Sequence, residues 1–390
     1  MVDEMEYNNS MKPSTPQKKK RIRIALFSTL IPFVVICISL TCFVVFSEIP
    51  VTWLVANVLF AQKKGASWND RTDVNGLDVV VSDEIVYNID SPLTTQSTLN
   101  VIYPKDNSIP LPVVIFAHGG GYIAGDKNEN EHYAMRIAEN GYIVINMNYA
   151  LAPNYKYPIP LTQLRDVWNY VHENAVQLEE ELQINLDLSN IFLAGDSAGA
   201  NLVSMFSLIN LYPSFATDAE FISSYAPKII VDNFDVRGLI LLCGVFEFSY
   251  FSNFTGFAKF AFERIAWGIT GTKDWNTNGF TNEMSLYNEL EGTTFSLIDS
   301  SFPPTYITDG SEAGSFNDQA LTLANILEEN GVYHNLTLFP DLMHEFQFIL
   351  GNVPSDSKLK SKENAIIEKS IVAAERVFSE VLDFLLYLKR

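Results

Sequence analysis

Gly195-Asp196-Ser197-Ala198-Gly199-Ala200-Asn201 is the stretch on which the reading of this chain turns. It follows Asn190-Ile191-Phe192-Leu193-Ala194, a short apolar run that reads as a buried strand. It precedes Leu202 to Leu208, which reads as a buried helix. A strand, then G-x-S-x-G, then a helix is the setting of a sharp turn that lifts a serine hydroxyl clear of a sheet edge. Such a turn has no room for side chains at its flanks, which accounts for glycine two residues before and two after the serine. It also leaves the amide of Ala198 at a helix N-terminus, where backbone donors are free. The five-residue pattern alone recurs by chance, so its meaning depends on the rest of the chain.

Upstream, Pro110-Leu111-Pro112 precedes Val113-Val114-Ile115-Phe116-Ala117, another buried strand, and then His118-Gly119-Gly120-Gly121-Tyr122. Three successive glycines let a backbone pass close to a ligand with its N–H groups exposed, the form of an HGGG-type oxyanion element. The stretch lacks the G-K-[ST] of a P-loop and the downstream spacing of a dinucleotide fingerprint. Acyl transfer needs such donors, because negative charge develops on the carbonyl oxygen and losing one donor costs about 3 kcal/mol.

Further strands are expected at 79–81, 85–89, 98–103, 142–149, 236–243, 305–308 and 335–339. Helices are expected at 128–140, 161–176, 317–330 and 363–389. Alternating helices and apolar strands predict a mostly parallel sheet covered on both faces. Residues 246–292 break the alternation, being much longer than an ordinary connection and crowded with Phe and Trp. They are expected to form a cap over the site, since insertions at the C-terminal edge of such sheets overlie the crevice.

The chain has 390 residues, 47% of them hydrophobic and 18% charged, enough for a sizeable core. A net charge of −20 and the lack of a basic face exclude nucleic acid as a partner. Cys243 is the only cysteine outside the N-terminal apolar segment, so the body needs no disulfide. That segment, Ala25 to Phe46, is 22 residues without a charge, long enough to span a bilayer. The basic cluster Lys18 to Arg23 precedes it, and no small-residue cleavage site follows. The expectation is a single-pass signal anchor at 25–46 with a cytoplasmic tail at 1–24. A juxtamembrane linker at 47–76 would then lead to an extracytoplasmic domain at 77–390.

With both glycine motifs in place, residues 77–390 resemble the hormone-sensitive-lipase-like branch of the α/β-hydrolase family. His118 to Tyr122 is similar to that branch's HGGG motif, and Gly195 to Gly199 matches its GDSAG elbow. Tyr149-Ala150-Leu151-Ala152-Pro153 is similar to its YRLAPE-type segment. The resemblance implies Ser197 as nucleophile and the N–H groups of Gly120, Gly121 and Ala198 as oxyanion hole. His118 is expected to brace the glycine loop. The base follows the serine in the family order, and His344, in Asp341-Leu342-Met343-His344-Glu345-Phe346, stands at the family's H-G-F position with Glu345 in place of Gly.

The acid stays open. Pro303 to Gly310 is similar to the family's P-P-T-x-x-x-x-G strand, but Ala313 occupies the register where the family has its acid. Glu312 is the first choice, then Asp318 and Asp309. Asp318 also fits the first turn of a helix. The implied activity is cleavage of carboxylic esters of short or medium acyl groups with no metal or cofactor. A sugar O-acetyl esterase, a peptidase and a non-catalytic binding module on the same fold are the alternatives.

Overall fold

The computed structural model describes residues 76–389 apart from 278, 311–315, 340, 343 and 349–360, and before them only residues 33–36, 39, 47, 52 and 54. By contacts the chain divides into two units, Met1–Val51 and Thr52–Arg390. In the first, residues 33–36 are helical. Most of the expected anchor at 25–46 lies outside the described residues, and among those described no helix is long and apolar enough to cross a membrane.

The second unit is built on a nine-stranded sheet. Its strands are β1 (Val79–Val81), β2 (Ile85–Val86), β3 (Thr98–Pro104), β4 (Leu111–Ala117), β5 (Ile143–Met147), β6 (Leu186–Asp196) and β7 (Gly238–Leu242), followed by β10 (Thr305–Asp309) and β11 (His334–Leu338). At the end of the insertion and just beyond it, β8 (Tyr287–Leu290) and β9 (Thr293–Ser296) form a separate antiparallel hairpin that the hydrophobic pattern did not predict. The main order is β1-β3-β5-β4-β6-β7-β10-β11, with β2 also on β3. From β5 to β11 every neighbouring pair is parallel, while β3 runs antiparallel to β5, β1 and β2.

Parallel pairing needs crossovers, and helices lie in them: α1 (Glu131–Glu139), α2 (Ile159–Glu173), α3 (Ala175–Leu182), α4 (Ala198–Leu211), α5 (Pro213–Thr217), α6 (Gly256–Thr270) and α7 (Asn317–Glu329), while α8 (Ser361–Leu388) follows the last strand. Strand residues alternate between the two faces, and helices cover both. On one face Val114, Phe116, Phe192, Ala194, Ile240 and Leu242 meet Tyr133 and Ile137 of α1 and Val377, Val381 and Phe384 of α8. Burying a side chain of this size contributes about 1.5–3 kcal/mol, and this face holds many. On the other, α2 packs on α4, with Trp168 and Phe206 rings 6.4 Å apart.

This order positions the site. The chain leaves β4 toward one side, to β5, then returns past β4 to β6 and continues outward through β7, β10 and β11. The strand order therefore reverses between β4 and β6, and a crevice opens beyond their C-terminal ends. The glycine loop follows β4 and Ser197 follows β6.

Candidate active site

Ser197 joins β6 to α4 with φ 51° and ψ −114°, a backbone state that L-residues rarely hold. Its amide donates to the carbonyl of Leu242 at 2.8 Å, which fixes the turn against β7. A methyl group on Gly195 would strike the backbone of Gly199, and one on Gly199 would strike the carbonyl of Ala117. The two glycines are there because backbone occupies the space a side chain would need.

The turn directs the serine toward His344, on the loop after β11. Ser197 Oγ and His344 Nε2 lie 3.0 Å apart, a hydrogen bond that the hydroxyl donates when the ring proton sits on Nδ1. Ser197 is buried, whereas the His344 side chain is 32% exposed. The Phe316 ring lies 5.2 Å from the imidazole. Glu345, which replaces the glycine of the family pattern, holds φ 62°, the left-handed state that glycine adopts most readily.

Among the described residues the carboxylate beside His344 is Asp309, the last residue of β10, with Oδ1 4.0 Å from Nδ1. Asp309 is fully buried and accepts the Gly310 amide at 2.7 Å. Burial pushes its carboxyl above the ordinary carboxylate range, against the opposing effects of His344, the Gly310 amide and the Cys243 thiol. A separation of 4.0 Å exceeds a hydrogen bond, as catalytic pairs without substrate often do. Glu312 lies outside the described residues. Asp318 is exposed in the first turn of α7, where it favours the helix dipole.

Gly120, Gly121 and Tyr122 all have positive φ (112°, 60° and 60°). A methyl group on Gly120 would strike the backbone of Ala124. Gly121 and Ala198 border the same cavity as Ser197 and His344. His118, expected to brace this loop, has its Nδ1 2.7 Å from the Gly119 carbonyl, and further supports come from residues the motifs did not single out for that role. Asp196 is wholly buried, and its Oδ1 accepts the Gly119 amide at 2.9 Å and the Asn130 amide group at 2.5 Å. Tyr149 donates to the His118 carbonyl at 2.7 Å and stacks on the His118 ring at 4.3 Å. Tyr122 donates to Asn201 Oδ1 at 2.7 Å, and Asn201 in turn donates to the carbonyls of Val245 and Met284. The signal for Asp196 and Tyr149 lay in the motifs themselves, GDSAG and YALAP, but their partners are distant in sequence.

The cavity beside Ser197 measures about 100 Å³ and is almost entirely apolar. Phe248, Phe251, Phe262, Ile265 and Ile269, all from the 246–292 insertion, line it together with Val245 and Phe316. A hydrocarbon group would bind there, whereas a charged one would lose its water without a partner. For metals, the arrangement offers one grouping of suitable donors among the described residues: Cys243, Asp309 and His344, whose donor atoms lie within 4.8 Å of one another.

The sheet, the strained serine turn and the glycine loop define a class, and comparison with known proteins agrees. A family model described as alpha/beta hydrolase fold matches residues 114–348. The chain belongs to the α/β-hydrolase family, in its hormone-sensitive-lipase-like branch. Its relatives include tuliposide A-converting enzyme 2 of Tulipa gesneriana, 35% identical over 97 residues, which cover 24% of this chain and 25% of that protein. An alpha/beta hydrolase of Acanthamoeba polyphaga mimivirus is 31% identical over 140 residues, covering 36% of each chain. The chain thus spans about a quarter to two fifths of the curated relatives it matches. Among solved structures, a bacterial heroin esterase superposes with TM-score 0.60 at 19% identity, over 86% of this chain and 91% of that one. Esterase B from Lactobacillus rhamnosis gives 0.58 at 20% identity, over 86% and 97%. These two likenesses establish the fold.

Proposed function

We propose that the protein is a serine hydrolase that cleaves carboxylic esters of short or medium acyl groups through an acyl-enzyme on Ser197. The observation that carries this reading is the 3.0 Å approach of Ser197 Oγ to His344 Nε2 at the rim of an apolar cavity. His344 Nε2 takes the hydroxyl proton as Oγ bonds to the ester carbonyl carbon, and the carbonyl electron pair moves onto oxygen. The amides of Gly120, Gly121 and Ala198 stabilise that oxyanion. The imidazolium returns its proton to the leaving alkoxide, and water then repeats the sequence on the acyl-enzyme. Asp309 is the acid of this reading. Its carboxylate is buried behind Nδ1, where it favours the tautomer with the proton on Nδ1 and stabilises the imidazolium. The 246–292 insertion acts as a cap whose Phe and Ile side chains receive the acyl chain.

A fluorophosphonate probe should label the wild-type protein and leave Ser197→Ala unlabelled; a folded wild type that resists the probe would overturn the assignment. The reading includes an N-terminal anchor. Its support is the uncharged run at 25–46 behind a basic cluster, which directs the body to the extracytoplasmic side. Retention in the membrane pellet after alkaline carbonate, lost on deleting residues 25–46, is the expected behaviour, and release of the intact chain would refute it.

A further inference from the structure

Cys243 follows β7 with φ 51° and is fully buried. It occupies the gap between the ends of β7 and β10, with its amide donating to the Thr308 carbonyl at 2.7 Å. Its thiol donates to Gln347 Oε1 at 3.2 Å. Three donor types that bind zinc well converge at this point: a sulfur, a carboxylate oxygen and an imidazole nitrogen, all within 4.8 Å of one another. Two atoms there, His344 Nδ1 and Asp309 Oδ2, are buried without a hydrogen-bond partner among the described residues. Such orphaned atoms carry a desolvation cost that a bound cation would remove.

We propose that Cys243, Asp309 and His344 form a binding site for a thiophilic divalent cation of the zinc type, and that its occupancy switches the hydrolase off. The site lies behind the histidine, on the side away from the serine. This inference rests on the hydrolase reading for its effect on activity, though not for the binding itself.

Tetrahedral zinc, with bonds of about 2.0–2.3 Å, sets its ligand atoms roughly 3.3–3.8 Å apart. The 4.0 Å between Asp309 Oδ1 and His344 Nδ1 is close to that spacing. A modest turn of the partly exposed imidazole would complete it. The route in lies along His344, which borders the cavity. Water would fill the fourth position.

The inhibition follows from proton accounting. A neutral imidazole carries one N–H, and a metal on Nδ1 forces that proton onto Nε2. The nitrogen facing Ser197 would then be a donor and could not accept the hydroxyl proton. Cys243 would bind as the thiolate, so metal binding releases a proton.

The test measures p-nitrophenyl butyrate hydrolysis by the full-length protein in detergent against free zinc. Activity should fall at least tenfold and return on adding EDTA. Cys243→Ala should need at least about tenfold more zinc for half-inhibition, as loss of one ligand implies. Binding is read separately with cobalt(II) and Ser197→Ala protein that also carries Cys37→Ser and Cys42→Ser, leaving Cys243 as its only thiol. A thiolate-to-cobalt charge-transfer band should appear. That band does not require hydrolysis, so it separates failure of the metal site from failure of the hydrolase reading. It also decides the matter alone if Cys243→Ala does not fold. Equal half-inhibition in wild type and Cys243→Ala, or no band in the folded single-thiol protein, would overturn the proposal.

Discussion

Replacing Asp309 with Asn isolates the charge behind the histidine without changing its shape. The carboxylate lies 4.0 Å from His344 Nδ1 and is fully buried. When the imidazole takes the serine proton, that charge stabilises it by about 4 kcal/mol at an effective dielectric of about 20. At about 1.4 kcal/mol per tenfold in rate, kcat should fall by about 10³. The loss belongs in kcat, because the attraction exists only once the imidazolium forms. The assay is steady-state turnover of p-nitrophenyl butyrate, with Glu312→Gln measured beside it.

A second readout guards against a merely damaged fold. Burial raises the Asp309 carboxyl above its ordinary range, so the folded state holds this proton more tightly than the unfolded chain does. Its contribution to stability is complete below the ordinary carboxylate range and is lost as pH rises through the raised value. At neutral pH the charged Asp309 therefore destabilises the fold. Asn, which does not ionise, should melt at the same or a higher temperature than wild type, and this advantage should vanish on acidification. A variant that keeps kcat within about tenfold of wild type while Glu312→Gln loses it would refute the reasoning, and Glu312 would then be the acid.

Asp196→Ala removes the acceptor that holds the Gly119 amide and Asn130. With the glycine loop slackened, kcat should drop by about 10² while KM stays within about threefold, and unchanged kcat would show that the loop holds its shape unaided. Ile265→Trp fills the cavity from α6. Turnover of hexanoate should fall at least about tenfold more than turnover of acetate, since each methylene excluded is worth about 1–3 kcal/mol. A parallel fall for both would mean the acyl chain lies elsewhere.

The alternation of apolar strands and amphipathic helices made the layered parallel sheet legible, and most expected elements fall within a few residues of their observed bounds. The reason is local: a strand buried on both faces reads as a continuous apolar run. Ser197 and the glycine loop stood out as candidates for a similar reason, whereas His344 was singled out by its resemblance to the family's H-G-F position. A tight turn and a close backbone approach both restrict residue type at fixed spacing, as the clashes awaiting a methyl on Gly195 or Gly199 show.

Whatever depends on two segments meeting was hidden. Asp309, the third of the candidate acids, ends β10, and only the parallel register of β7, β10 and β11 brings it behind His344. An acid closing a strand at the serine's edge of the sheet was the one available clue. The sequence alone marked out a chain with a serine turn, a glycine loop and a downstream histidine. Tertiary structure decided which described carboxylate stands behind that histidine, that Asp196 and Tyr149 support the glycine loop, and that the aromatic insertion lines the cavity. Those choices depend on distances between residues far apart in the chain, and one strand's sequence carries no record of what its neighbours bring to the same edge.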